Sequence, residues 1–146
     1  MELTRSLKLQ KKVKLIDKYK TISTSSKFHE KLRSIFIEDA FFKNLKCYQE
    51  VPVSFLIENY HTNRHHFDWY IEELRTVIEL HGKQHYKRSN FGNKAYLESV
   101  MDFNNIKDRD NTKKTAAIQA GYEYVEIPYN LENKMTAEFL KKLIFK

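Results

Sequence analysis

Asp68 and Glu79 are carboxylates set inside apolar runs, Phe67-Asp68-Trp69-Tyr70-Ile71 and Thr76-Val77-Ile78-Glu79-Leu80. Aromatic and β-branched content predicts a strand for each run, with residues 72–75 as the turn between them. A hairpin closing between Ile71 and Thr76 would set Asp68 and Glu79 across from one another. A carboxylate flanked by apolar residues is costly unless it is paired, hydrogen-bonded or bound to a metal. Two at one point suit a hard cation with oxygen ligands, Mg²⁺ or Mn²⁺. The alternative is that each faces solvent on a half-exposed sheet. The chain continues Glu79-Leu80-His81-Gly82-Lys83-Gln84-His85-Tyr86. Gly82 would allow a tight turn or the close approach of a phosphate. His81 and His85 are candidate general bases or water-orienting groups, with ordinary loop polarity as the alternative for each.

These residues need a scaffold. Residues 23–26 are all Ser or Thr and offer helix N-caps, and a helix is expected over 27–42 with Phe28, Leu32, Ile35 and Phe36 on its buried face. A first strand is expected over 47–53, with Pro52 marking an edge or a strand end. Residues 54–65 read as irregular, and 87–104 as a long polar connection with a helical piece near 94–103. A helix over 108–120 would be closed by Gly121, followed by a strand over 122–128 and a last helix over 136–145. The order α-β-β-β-α-β-α predicts an α/β fold with a central mixed four-stranded sheet flanked by helices.

The 146 residues suit one domain, with 41% apolar content that includes 10 Phe and 9 Tyr. The single cysteine, Cys47, excludes an intrachain disulfide and a multi-cysteine zinc cluster, and makes a reducing, cytoplasmic setting the expectation. No run is apolar enough to cross a bilayer, no secretory leader is recognised, and no membrane role is expected. The net charge of +7 is concentrated at one end: residues 1–33 carry ten Lys/Arg against three Asp/Glu, and the remaining 113 carry sixteen of each sign. Residues 1–22 therefore read as a basic arm on a domain spanning 23–146, with Lys8, Lys11, Lys12 and Lys14 as candidate phosphate contacts.

The hairpin and its continuation through Tyr86 resemble the core of the PD-(D/E)XK restriction-endonuclease-like superfamily. They look closest to small phage and bacterial relatives of the very-short-patch repair endonucleases. The stretches Lys107-Asp108-Arg109-Asp110-Asn111-Thr112-Lys113-Lys114 and Ala120-Gly121-Tyr122-Glu123-Tyr124-Val125 extend the resemblance, which covers residues 25–129. It implies a metal-dependent DNA endonuclease leaving 5′-phosphate and 3′-hydroxyl ends. Asp68, Glu79 and the main-chain carbonyl of Leu80 would bind Mg²⁺, with Mn²⁺ as substitute. Glu30 would join through a water or a second metal, or stand as an exposed helix charge. Asp110 and Lys113 match a helix-start pair that points at the active centre.

Two departures bear on this expectation. Phe67 precedes Asp68 where the motif has proline, and His81 stands where it has the catalytic lysine. His81, Gln84, His85 and Lys113 are the candidates for that lysine's role. Two further readings stay open: a non-catalytic DNA-binding module on a degenerate nuclease fold, and a protein-interaction subunit. Double-strand cutting with one active site per chain would favour a homodimer.

Overall fold

The computed structural model describes residues 26–82 and 93–146, and over 93–103 it describes the backbone alone. The basic arm, with Lys8, Lys11, Lys12 and Lys14, lies outside the described residues, as do Gln84 and His85.

The chain runs α1 (Lys27–Glu38), a 3₁₀ turn (Phe42–Asn44), β1 (Cys47–Pro52), α2 (Val53–Leu56), β2 (His66–Ile71), β3 (Thr76–His81), α3 (Asn93–Gln119), β4 (Glu123–Pro128), a second 3₁₀ segment (Tyr129–Lys134) and α4 (Ala137–Ile144). The strands form one sheet in the order β1-β2-β3-β4. The first two pairings are antiparallel and β3–β4 is parallel. Parallel neighbours require a crossover, and α3 supplies it. The expected α/β architecture with a mixed four-stranded sheet is the one observed, and β1, which carries Pro52, is an edge.

Three expectations are corrected. The first helix ends at Glu38 rather than 42, because Asp39 leaves helical geometry and its Oδ2 accepts from the amides of Phe41 (3.0 Å) and Phe42 (3.2 Å). Residues 54–56, read as irregular, join Val53, expected at the end of the first strand, in α2, braced by Val53 N donating to His65 O at 2.9 Å. The helical piece and the later helix are one continuous 27-residue α3, since neither Gly nor Pro interrupts it.

Two apolar layers sandwich the sheet. On one side Phe28, Leu32 and Phe36 of α1 and Leu140 of α4 pack on Trp69, Ile71, Ile78 and Leu80. Phe36 meets Trp69 edge to face at 4.9 Å between ring centres, a geometry aromatic pairs favour. On the other side Ala117 of α3 and Val53 and Leu56 of α2 pack with Phe67, Tyr70, Val77 and Tyr122. Central strand β3 is buried along its whole length, as expected when both faces are covered.

The C-terminal end of α3 is pinned. Gly121, at φ +88°, donates to Ile118 O, and Tyr122 N donates to Ala117 O, closing the helix in the left-handed turn that favours glycine. The Tyr122 hydroxyl then donates to Leu56 O at 3.0 Å, and the Arg75 guanidinium covers its ring. Among the described residues no helix is long and apolar enough to cross a membrane.

Candidate active site

Asp68 and Glu79 meet where the sheet opens. The β2–β3 ladder runs Ile71↔Thr76, Tyr70↔Val77, Trp69↔Ile78, and stops one pair short of the two carboxylates. In place of a ladder bond, Asp68 Oδ2 accepts from Leu80 N at 2.7 Å. The short turn at 72–75 thus sets the register expected from sequence. On the other side of β2, the β1 pairing passes from Gln49↔Trp69 to Val51↔Phe67 with Glu50 between them, at φ +55°. A non-glycine residue in the left-handed region is uncommon and marks local strain. The twist carries the chain across the sheet: Cys47 packs under α1, whereas Val51 packs with Val53 and Phe67 in the other layer.

Helix α3 delivers a cation to this opening. Lys113 Nζ lies 2.8 Å from Glu79 Oε1 and 2.9 Å from His66 O, and both Lys113 and Glu79 are buried. Arg109, one helical turn earlier, lines the same cavity, as do Glu50, Asp68, Leu80 and Arg64. The cavity measures about 650 Å³. Its floor is acidic and its α3 side basic, an arrangement that can hold a cation and an anion side by side.

Helix α1 contributes His29 rather than Glu30. Ser26 caps the helix by accepting from His29 N at 3.4 Å, and the His29 ring turns toward β2. Its Nδ1 accepts from the Trp69 indole at 3.2 Å, and its Nε2 lies 3.8 Å from Asp68 Oδ1. One ligand atom each from His29, Glu50 and Asp68 lies within 4.8 Å of the other two. Glu30 is exposed and does not line the cavity.

His81 is buried but turned elsewhere: Nδ1 is 3.2 Å from Glu126 and Nε2 is 3.8 Å from Asp110. It is not among the cavity-lining residues, and Asp110 goes with it rather than with Lys113. His65 and His66, which sequence left without a role, line the cavity, and the Tyr60 hydroxyl sits 2.7 Å from His65 Nδ1. His29, Glu50, Arg64 and Arg109 also escaped the sequence reading. Only Arg109 left a usable signal, its spacing of four from Lys113 on a predicted helix.

Burial, and then the Asp68 charge, hold the Glu79 carboxyl well above the ordinary glutamate value of 4.5, against the opposing pull of Lys113. Burial and Asp68 also raise Glu50. A raised acid keeps its proton in the folded state after the unfolded chain has lost it, so its stabilising contribution fades as pH rises above 4.5. The protein is therefore expected to melt at lower temperature as pH climbs from that value toward neutrality. Glu79→Gln should flatten the dependence. Thermal melts of both proteins across this range in EDTA check it; identical slopes would discard the assignment to Glu79.

Compared with known proteins, the chain matches no family model, and no curated protein or solved structure is similar to it at a significant level.

Proposed function

We propose that the chain is a divalent-metal-dependent DNA endonuclease built on a restriction-endonuclease-like core. The observation that carries this reading is the convergence of Asp68, Glu79 and Lys113, with the lysine amine 2.8 Å from Glu79. The lysine that the strand motif lacks at His81 has a counterpart on α3, which supports catalysis over a binding-only relic. A protein that merely held DNA would gain nothing from carboxylates facing phosphates.

The donor set fits a hard cation. Asp68 and Glu79 side chains and the Leu80 carbonyl are the proposed oxygen ligands, with Glu50 at the cavity edge, and oxygen ligands suit Mg²⁺ or Mn²⁺. Glu30 drops out of the set, because it is exposed. When bound, such an ion would polarise the scissile phosphate and lower the pKa of an attacking water. The chain's own residues do the rest. Asp68 is oriented by the Leu80 amide. Lys113 spends two of its three donors on Glu79 and His66 O, and the third is available to a phosphate oxygen or a water. Arg109 and Arg64 offer guanidinium groups to the DNA backbone. The basic arm adds salt-sensitive, sequence-independent affinity.

Incubating the purified protein with supercoiled plasmid, with magnesium or with EDTA, tests the reading. Nicked or linear product that requires magnesium and carries 5′-phosphate ends is expected. A salt-dependent gel shift with no cleavage, on plasmid or on branched and mismatched duplexes, would replace the nuclease by a DNA-binding module. Neither cleavage nor shift would point to a protein partner.

A further inference from the structure

His29, Glu50 and Asp68 have the composition of a nitrogen-and-oxygen metal site, yet the surroundings of His29 argue against imidazole ligation. An indole N–H can only donate. That of Trp69 is aimed at His29 Nδ1 at 3.2 Å, so Nδ1 presents its lone pair. A neutral imidazole then carries its one hydrogen on Nε2, the nitrogen that faces Asp68 Oδ1 at 3.8 Å. A metal-ligating histidine has the opposite arrangement: its outer nitrogen is N–H and donates to a carbonyl or carboxylate, which leaves the inner lone pair for the metal. Gln49 Nε2 lies 3.4 Å from the same Nδ1, but an amide can turn over and accept, so it does not enforce either tautomer. Trp69 does.

We infer that Trp69 is a metal-selectivity residue: by fixing the tautomer of His29 it leaves the His29–Glu50–Asp68 cluster offering a cation oxygen alone. This rests on the metal-dependent reading above and deepens it. Imidazole suits zinc, nickel and copper, whereas carboxylates suit magnesium and manganese. An oxygen-only site loses the advantage that nitrogen would give the first group. His29 stays in place with its N–H turned toward Asp68, 3.8 Å away, a positioning residue rather than a ligand.

The test uses the full chain and two probes, Mn²⁺ and Zn²⁺, each added alone. Nitrogen-resolved NMR of the metal-free protein should find His29 as the Nε2–H tautomer. Electron spin-echo spectroscopy of the Mn²⁺-loaded protein should find no directly bound imidazole nitrogen. In Trp69→Phe the ring is free to exchange tautomers. Calorimetry should then give Zn²⁺ affinity raised by about tenfold or more, with Mn²⁺ affinity little changed, and His29→Ala in the same background should abolish the gain. The first two measurements need no variant, so a Trp69→Phe protein that fails to fold does not shield the inference.

An Nδ1–H tautomer in the wild type, or imidazole already bound to its Mn²⁺, would overturn the inference and leave the nuclease reading standing. So would a folded Trp69→Phe protein with unchanged Zn²⁺ affinity. Failure of the wild type to bind Mn²⁺ at all would overturn the metal site, and this inference with it.

Discussion

Asp68→Asn is expected to lower magnesium-dependent cleavage by at least about 10³-fold while leaving the fold and DNA affinity intact. The asparagine carbonyl can still accept from Leu80 N, the 2.7 Å bond that Asp68 now makes, so the opening between β2 and β3 keeps its shape. What is lost is one of the anionic ligands proposed for the metal, at the point where carboxylates from β1, β2 and β3 line one cavity. The metal-free variant should be no less stable than the wild type, because the buried Glu79 is then relieved of the neighbouring charge that raises it. Single-turnover cleavage assays, with gel shifts in EDTA and thermal melts alongside, separate these effects. Cleavage within tenfold of wild type would remove Asp68 from the metal site. Lost cleavage accompanied by a collapsed melt would reduce the residue to a structural one.

Lys113→Met should cost both stability and activity, and the two losses should part company in a double variant. Removing one partner of a buried ion pair strands the other, which typically costs about 3–5 kcal/mol. The Glu79 proton uptake that follows would soften that figure at acidic pH. Lys113→Met combined with Glu79→Gln leaves no buried charge uncompensated and should recover most of the stability. Cleavage should remain depressed by about 10²-fold or more in the single and the double variant alike. Lys113→Arg should not rescue, since a planar fork cannot replace a compact ammonium between Glu79 and His66 O. Urea denaturation supplies the double-mutant cycle. A coupling under about 0.5 kcal/mol would mean that the 2.8 Å pair does not hold these elements together. Cleavage near the wild-type level in the single variant would remove Lys113 from the chemistry, and recovered cleavage in the double variant would remove Glu79 with it.

The legible part of the site was the part fixed by local geometry. A four-residue turn between two β-branched runs leaves one natural register, and that register sets Asp68 against Glu79. Lys113 came from the resemblance, which pairs it with Asp110 at a helix start; both lie instead well inside α3, which begins at Asn93. His29 did not follow, because its meaning depends on Trp69, forty residues away, and on a face of α1 next to the one marked by Phe28, Leu32 and Phe36. Glu50 was hidden for a different reason. Strict alternation along β1 assumes extended backbone at every residue, and the left-handed conformation at Glu50 breaks it. His81 misled because its position in the strand motif suggested a place in the site, whereas its ring lies against Glu126 and Asp110. The continuous α3 was missed at the junction of the helical piece and the later helix, where Asn104-Asn105-Ile106-Lys107 contains nothing that breaks a helix.

The anchored end of α3 turns that helix into a threaded shaft with a set phase. Tyr122 is tied to Leu56 and Arg75, and Gly121 stops the helix there, so the azimuth of every side chain upstream is counted back from that point. One residue added or removed between Lys113 and Gly121 would rotate the lysine by about 100° and shift it about 1.5 Å along the axis. The ammonium would leave Glu79, and a neighbouring residue would take its place. Two whole turns, about seven residues, would restore the angle but displace the amine by about 10 Å. The stretch from 113 to 121 therefore admits change of side chain far more readily than change of length, although most of it never touches the cavity.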